Sequence, residues 1–139
     1  VIQFTVYGDP VAQGRPRFSN RGGFIKAYDP QKSRDFKDYV RLAASEHAPD
    51  QLLDEPLNLE VTFYRPIPKS FSKKKTKEAE NGEILPTSKP DIDNYLKGVK
   101  DALSGIIWRD DNCITDVFMR KRYSNRPRIE ITVKKAVDQ

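Results

Sequence analysis

Between Val1 and Gly8 the apolar residues Ile2, Phe4 and Val6 alternate with Gln3, Thr5 and Tyr7, the period of a half-buried strand. The same alternation returns where Leu57, Leu59, Val61 and Phe63 interleave with Asn58, Glu60, Thr62 and Tyr64, bracketed by Pro56 and Pro66. It predicts a second strand. From residue 31 to 48, Phe36, Tyr39, Val40, Ala43, Ala44 and Ala48 recur at helical spacing; Asp29 is placed to cap that helix and Pro30 to sit in its first turn. A second helical stripe, Ile92, Leu96, Val99, Leu103 and Ile106, ends near Gly105 and leaves Asp93, Lys97 and Asp101 together on another face. After WRDDNC, the runs ITDVFMRKRY and RIEITVKK, joined by SNRP, predict two strands in a hairpin. The order β-α-β-α-β-β, with one apolar face on each element, predicts an α/β (α+β) fold, a two-layer sandwich with helices packed on one mixed sheet.

Two stretches have no sustained period. Residues 9–30 hold three Pro and three Gly with Arg15, Arg17, Arg21 and Lys26, and read as a long basic loop, partly hairpin. The segment at about 66–90 is rich in Lys, Pro and Ser with few large apolar residues. It reads as a mobile loop, because little burial offsets the entropy of ordering it. At 139 residues the chain fits one domain over 1–139. With 37% hydrophobic residues and a mean hydropathy of -0.74, its core is thin and its surface charged, which a dimer interface would help cover.

Charge narrows the partner. Twenty-five Lys and Arg against 20 Asp and Glu give a net charge of +5, suited to a polyanion. The only cysteine, Cys113, excludes an intramolecular disulfide and leaves too few thiolates for structural zinc, as in a reducing cytoplasm. No apolar run approaches the ~20 residues of a membrane span, and VIQFTVYGDP lacks the basic start of a signal peptide. The expectation is a soluble cytoplasmic protein without a membrane partner.

Against this basic background, SKPDIDNYLKGVKDAL (88–103) gathers acids at the mouth of the second helix. On a continuous helix residues i and i+2 diverge, so Asp91 and Asp93 converge only if Asp91 precedes the helix in extended geometry. Pro90, which restricts the backbone there, favours that arrival. A single Asp is explained as an N-cap, at about 1 kcal/mol. A cap leaves the second carboxylate, Asn94, Lys97 and the later pair Asp110-Asp111 unexplained. Magnesium takes oxygen ligands in octahedral geometry, so Asp91, Asp93 and Asp111, with Asp110 as the alternative third ligand, make a reasonable set with a nucleic-acid phosphate; manganese is the alternative ion. Lys97 or Lys89 would stabilise the extra charge of the transition state, and the reaction class is phosphodiester hydrolysis. An EF-hand fails at Tyr95 and Leu96, GxxxxGK[ST] is absent, and His47 as the only histidine leaves no convincing triad or histidine-ligated zinc.

Other features carry less. QGRPRFSNRGG sets Arg15, Arg17 and Arg21 around Phe18, able to hold phosphates and stack on exposed bases or simply to be a solvated loop. Lys73, Lys74 and Lys75 form a run that tracks a backbone nonspecifically at most. Arg120 and Arg122 project from one face of a strand near the proposed site, where they are expected to contact DNA. Trp108 reads as a packing anchor, His47 as a surface or capping residue, and Cys113 as a small buried hydrophobe.

DIDNYLKGVKDALSG followed by WRDD resembles the RusA family of Holliday junction resolvases, most specifically across residues 91–111. The resemblance implies a magnesium-dependent homodimeric endodeoxyribonuclease that cuts four-way DNA junctions symmetrically, in recombination and repair. It implies Asp91, Asp93 and Asp111 as metal-binding carboxylates and Lys97 as the catalytic lysine. The chain departs from the pattern in Pro90, which replaces a basic residue, and in a connection to Asp110 and Asp111 one residue shorter. Two rivals remain: a metal-dependent nuclease for flaps or duplex, and a DNA-binding module without catalysis.

Overall fold

The structure, a computed structural model, describes residues 1–12, 17–19, 26–28 and 31–137. Its strands are β1 (Ile2–Tyr7), β2 (Arg17–Ser19), β3 (Lys26–Tyr28), β4 (Leu57–Pro66), β5 (Ile114–Ser124) and β6 (Arg128–Lys135), and its helices are α1 (Gln31–Ser45), α2 (Lys73–Glu80) and α3 (Ile92–Leu103). Four strands form one mixed sheet in the order β1-β6-β4-β5, with β4 and β5 parallel and the other neighbours antiparallel. The strands β2 and β3 form a separate two-stranded hairpin.

The alternation read along the chain decides which face is covered. Phe4 and Val6, Leu57, Leu59, Val61 and Phe63, and Ile129, Ile131 and Val133 are buried. They meet Val40 and Ala44 of α1 and Tyr95, Val99, Ala102 and Leu103 of α3, with Trp108 closing the end of the layer. Both long helices therefore lie on one face, in the expected two-layer α+β arrangement with the expected order of major elements. The opposite face carries the polar partners of each pleat, and no second layer covers it among the described residues. No helix among the described residues is long and apolar enough to cross a membrane.

Three expectations are corrected. The last two strands do not form a hairpin: β6 lies between β1 and β4, and β5 pairs with β4 at the sheet edge. The physical reason is burial. Strand β6 buries Ile129, Ile131 and Val133 and suits an inner position, whereas the charged RKR of β5 suits an edge. Second, residues 66–90 are not one loop, because they contain α2. The Ser72 hydroxyl accepts the N–H of Lys75 at 3.1 Å as its cap, Ala79 is buried, and Phe71 packs edge-on against Tyr123 of β5. These anchors are short-range and specific, and composition hides them. Third, α1 stops at Ser45 rather than Ala48; Asp29 and Pro30 lie outside the described residues.

Candidate active site at the two ends of α3

The helix α3 forms because its apolar stripe meets the sheet, with Tyr95, Val99, Ala102 and Leu103 all buried. Asp91 stands at the N-cap position with extended backbone (φ -65°, ψ 152°), and its side chain makes no capping hydrogen bond. The backbone does that work instead, the N–H of Asn94 donating to the Asp91 carbonyl at 3.1 Å. Asp91 and Asp93 are both exposed, and neither carboxylate has a hydrogen bond or ion pair among the described residues. They stand at the N-terminal end of α3, where unsatisfied helix N–H groups point outward. Lys97, exposed and likewise unpaired among the described residues, follows Asp93 by one turn on the same face.

Two cations that sequence reading missed fix the segment entering the helix. Arg65, at the end of β4, donates to the carbonyls of Ser88 and Lys89, each at 3.0 Å. The Lys121 ammonium, from β5, donates to the carbonyls of Ser88 and Pro90, each at 3.2 Å. No pattern announces either contact, since both join residues distant in sequence. Beside this mouth runs a cleft lined by Asp91 and Ile92 and by Met119, Arg120, Lys121 and Arg122 of β5. Below it Tyr95 stacks on Phe63, ring centroids 5.0 Å apart. Burial pushes the Tyr95 hydroxyl above its ordinary pKa, and Arg65 beside it pulls part of the way back.

The other end of α3 holds its acids differently. Gly105, at φ 85°, makes the reversal that glycine adopts most readily, its N–H donating to the Trp108 carbonyl at 2.7 Å. Trp108 is fully buried, as expected of an anchor, and its indole N–H donates to Asp111 Oδ1 at 2.8 Å. Asp110 Oδ1 accepts the N–H of Asn112 at 2.9 Å, capping the single 3-10 turn Asp111–Cys113. Both acids thus have local partners. Twelve helical residues at 1.5 Å each put about 18 Å between the two ends. Within one chain Asp91, Asp93 and Lys97 share the first turns of α3, and Asp110 and Asp111 stand past its far end. Among the described residues no three His, Cys, Asp or Glu form a metal-holding group.

The remaining sequence candidates are distributed as follows. Arg120 and Arg122 share the open face of β5, beside the cleft. Lys73, Lys74 and Lys75 open α2, which docks at the same end of β5, with Lys75 lying over the Phe71 ring at 4.3 Å. Lys89 is exposed at the entry to α3. Arg17 and Phe18 lie in β2, paired with Tyr28 and Ala27, while Arg15 and Arg21 fall outside the described residues. His47 is exposed and stacks on Phe4 with centroids 5.1 Å apart; Cys113 is half-buried against the core.

Comparison with known proteins agrees with the family resemblance read from the sequence. The chain is 52% identical over 135 residues to "Uncharacterized protein YqaN" of Bacillus subtilis (strain 168), an alignment covering 96% of this chain and 95% of that protein. Residues 7–134 match the family described as Endodeoxyribonuclease RusA, so nearly the whole described fold, including both ends of α3, belongs to the RusA endodeoxyribonuclease family.

Proposed function

We propose that this protein is a magnesium-dependent endonuclease that resolves four-way DNA junctions as a homodimer, by paired, symmetric phosphodiester hydrolysis. The observation that carries the reading is the pair of exposed carboxylates without a partner among the described residues, Asp91 and Asp93, with Lys97 one turn on, beside a cleft walled by the cations of β5 in a chain of this family. A cap would have engaged one acid, and a solvated face would not gather two beside a basic wall.

The donor set fits magnesium at the mouth of α3, where Asp91 and Asp93 offer hard oxygen ligands on extended and helical backbone respectively. When bound, the ion supplies positive charge that polarises the scissile phosphate and acidifies the attacking water. The Lys97 ammonium faces the charge that grows on the phosphate oxygens, and Arg122 holds the backbone against the β5 wall.

A third carboxylate comes from a second copy. Strand β5 is a sheet edge with Val117 42% and Phe118 53% exposed, the kind of edge that templates another strand. Its sequence is self-complementary in the antiparallel sense. With Phe118 on the two-fold axis, Asp116 stands opposite the partner's Arg120, and Val117 opposite the partner's Met119. Because α3 runs antiparallel to β5, this pairing carries the partner's Asp111 towards the cleft that holds Asp91, on the same face of the joined sheet. Two equivalent centres result, one for each nick.

The test is cleavage of a synthetic four-way junction by mixed dimers. Asp91→Asn and Asp111→Asn homodimers are each expected to be inactive. Mixing them restores nicking of one strand, because half of the centres in a mixed dimer then keep both acids. No recovery on mixing would remove the shared centre. A wild-type protein that leaves the junction uncut with magnesium, or cuts flap and linear duplex equally well, would remove the junction-resolving function.

A further inference from the structure

The open face of the sheet carries an ordered row that the chemistry at α3 touches only through Arg122. Tyr7 of β1 stands opposite Arg128 of β6, Arg128 opposite Tyr64 of β4, and Tyr64 opposite Arg122 of β5. The row thus crosses all four strands, alternating ring and guanidinium over about 14 Å at ordinary strand spacing. Arg126, from the turn before β6, lies 4.2 Å over the Tyr7 ring, and Arg128 lies 3.8 Å over the Tyr64 ring. A guanidinium stacked on a ring is held in one plane and keeps its edge N–H groups free for a planar anion. Arg128 already meets Glu130 at 3.7 Å, whereas Arg122 and Arg126 meet no carboxylate among the described residues.

The row is also placed to be useful. It lies at the end of the sheet where α3 begins, and Arg122 belongs both to it and to the cleft beside Asp91. Further along the same face the charge is neutralised, Lys134 meeting Glu60 at 3.1 Å. An uncompensated cationic strip confined to the active end of an otherwise balanced face points to an extended polyanion. We propose that Arg126, stacked on Tyr7, and Arg122, beside Tyr64 on the next strand, form a phosphate-binding strip for the sugar-phosphate backbone of a DNA arm that passes from the cleft round the end of the sheet where α3 begins. This rests on the nuclease reading for which ligand arrives; the strip itself reads backbone, not sequence.

The test measures binding of four-way, duplex and single-stranded DNA in chelator, so that no cutting intervenes. Arg122→Gln with Arg126→Gln is expected to weaken binding of the junction about tenfold or more and to lower the slope of log affinity against log salt by about two. Lys134→Gln with Lys135→Gln removes the same charge from the far end of the sheet and is expected to leave both readings near wild type. Tyr64→Leu changes no charge, and is expected to weaken binding with the slope kept. Arg126→Gln alone, exposed on a turn, guards against misfolding and is expected to lower the slope by about one. Wild-type affinity and slope in the Arg122/Arg126 double variant would overturn the strip, as would wild-type protein that binds none of these DNAs. A double variant that turns monomeric with binding intact would make the row a protein interface and overturn it too. If the wild-type protein binds junctions but never cuts them, while the variants bind weakly, the strip stands and the resolvase reading falls.

Discussion

The two ends of α3 carry the same residue type in opposite conditions. At the start, Asp91 and Asp93 are exposed and pair with nothing among the described residues; past the end, Asp111 accepts from a buried indole and Asp110 caps a turn. A carboxylate without a partner at a helix N-terminus contributes little to stability that a neutral isostere would lose, whereas one that satisfies a buried N–H is part of the fold. The first pair is available for a ligand and the second is anchored, so the two ends should respond differently to the same substitution.

The largest contrast is expected in activity. Asp91→Asn or Asp93→Asn should reduce junction cleavage at least ~100-fold while the thermal midpoint stays within the error of the melt, a result that a structural cap could not give. Asp111→Ala should both abolish cleavage and destabilise the fold by ~1–3 kcal/mol, because the Trp108 N–H loses its acceptor; Asp111→Asn, which keeps an acceptor, should recover most of that stability and none of the cleavage. Chemical denaturation alongside nicking assays separates the two. Asp110→Ala sharpens the comparison from the other side, with a loss of ~0.5–1 kcal/mol for the cap and cleavage within a few fold of wild type; a collapse of activity there would move the anchored role of the third ligand from Asp111 to its neighbour. The smallest effect is expected from Tyr95 beneath the free end. Its raised pKa means that its neutral form stabilises the fold fully below the unfolded tyrosine value near 10, and that this contribution is lost as pH rises from there through the folded value. Tyr95→Phe should flatten the alkaline limb of the stability profile and cost no more than the ~0.5–1.5 kcal/mol of its hydrogen bond with Arg65 at neutral pH.

Much of this could be read from the chain because its strongest signals are local. The alternation in β1, β4 and β6 names the buried face residue by residue, and the stripe from Ile92 to Leu103 gives α3 within a residue or two. What could not be read depends on contacts between distant residues. The placement of β6 between β1 and β4 follows from a competition among strands for the interior, which adjacent patterns such as β5 and β6 cannot express. The helix α2 depends on Phe71 reaching Tyr123 and on Ala79 reaching the core. The acidic motif was legible as chemistry but not as geometry: DIDN and WRDD are close in sequence, and only the length of α3 reveals that a single chain holds them at arm's length. Likewise Tyr7, Tyr64, Arg126 and Arg128 look like ordinary polar-face residues until strand order lines them up.

Two cations beside the mouth of α3 are bound to peptide oxygens. Because Arg65 and Lys121 point into the carbonyls of residues 88–90, they rivet the chain leading to Asp91 onto β4 and β5 and stop short of neutralising the aspartates. The first carboxylate is thereby carried by the sheet and the second by the helix, so any sliding of α3 along the sheet would change the gap between them and, on the proposed reading, the size of ion that fits it.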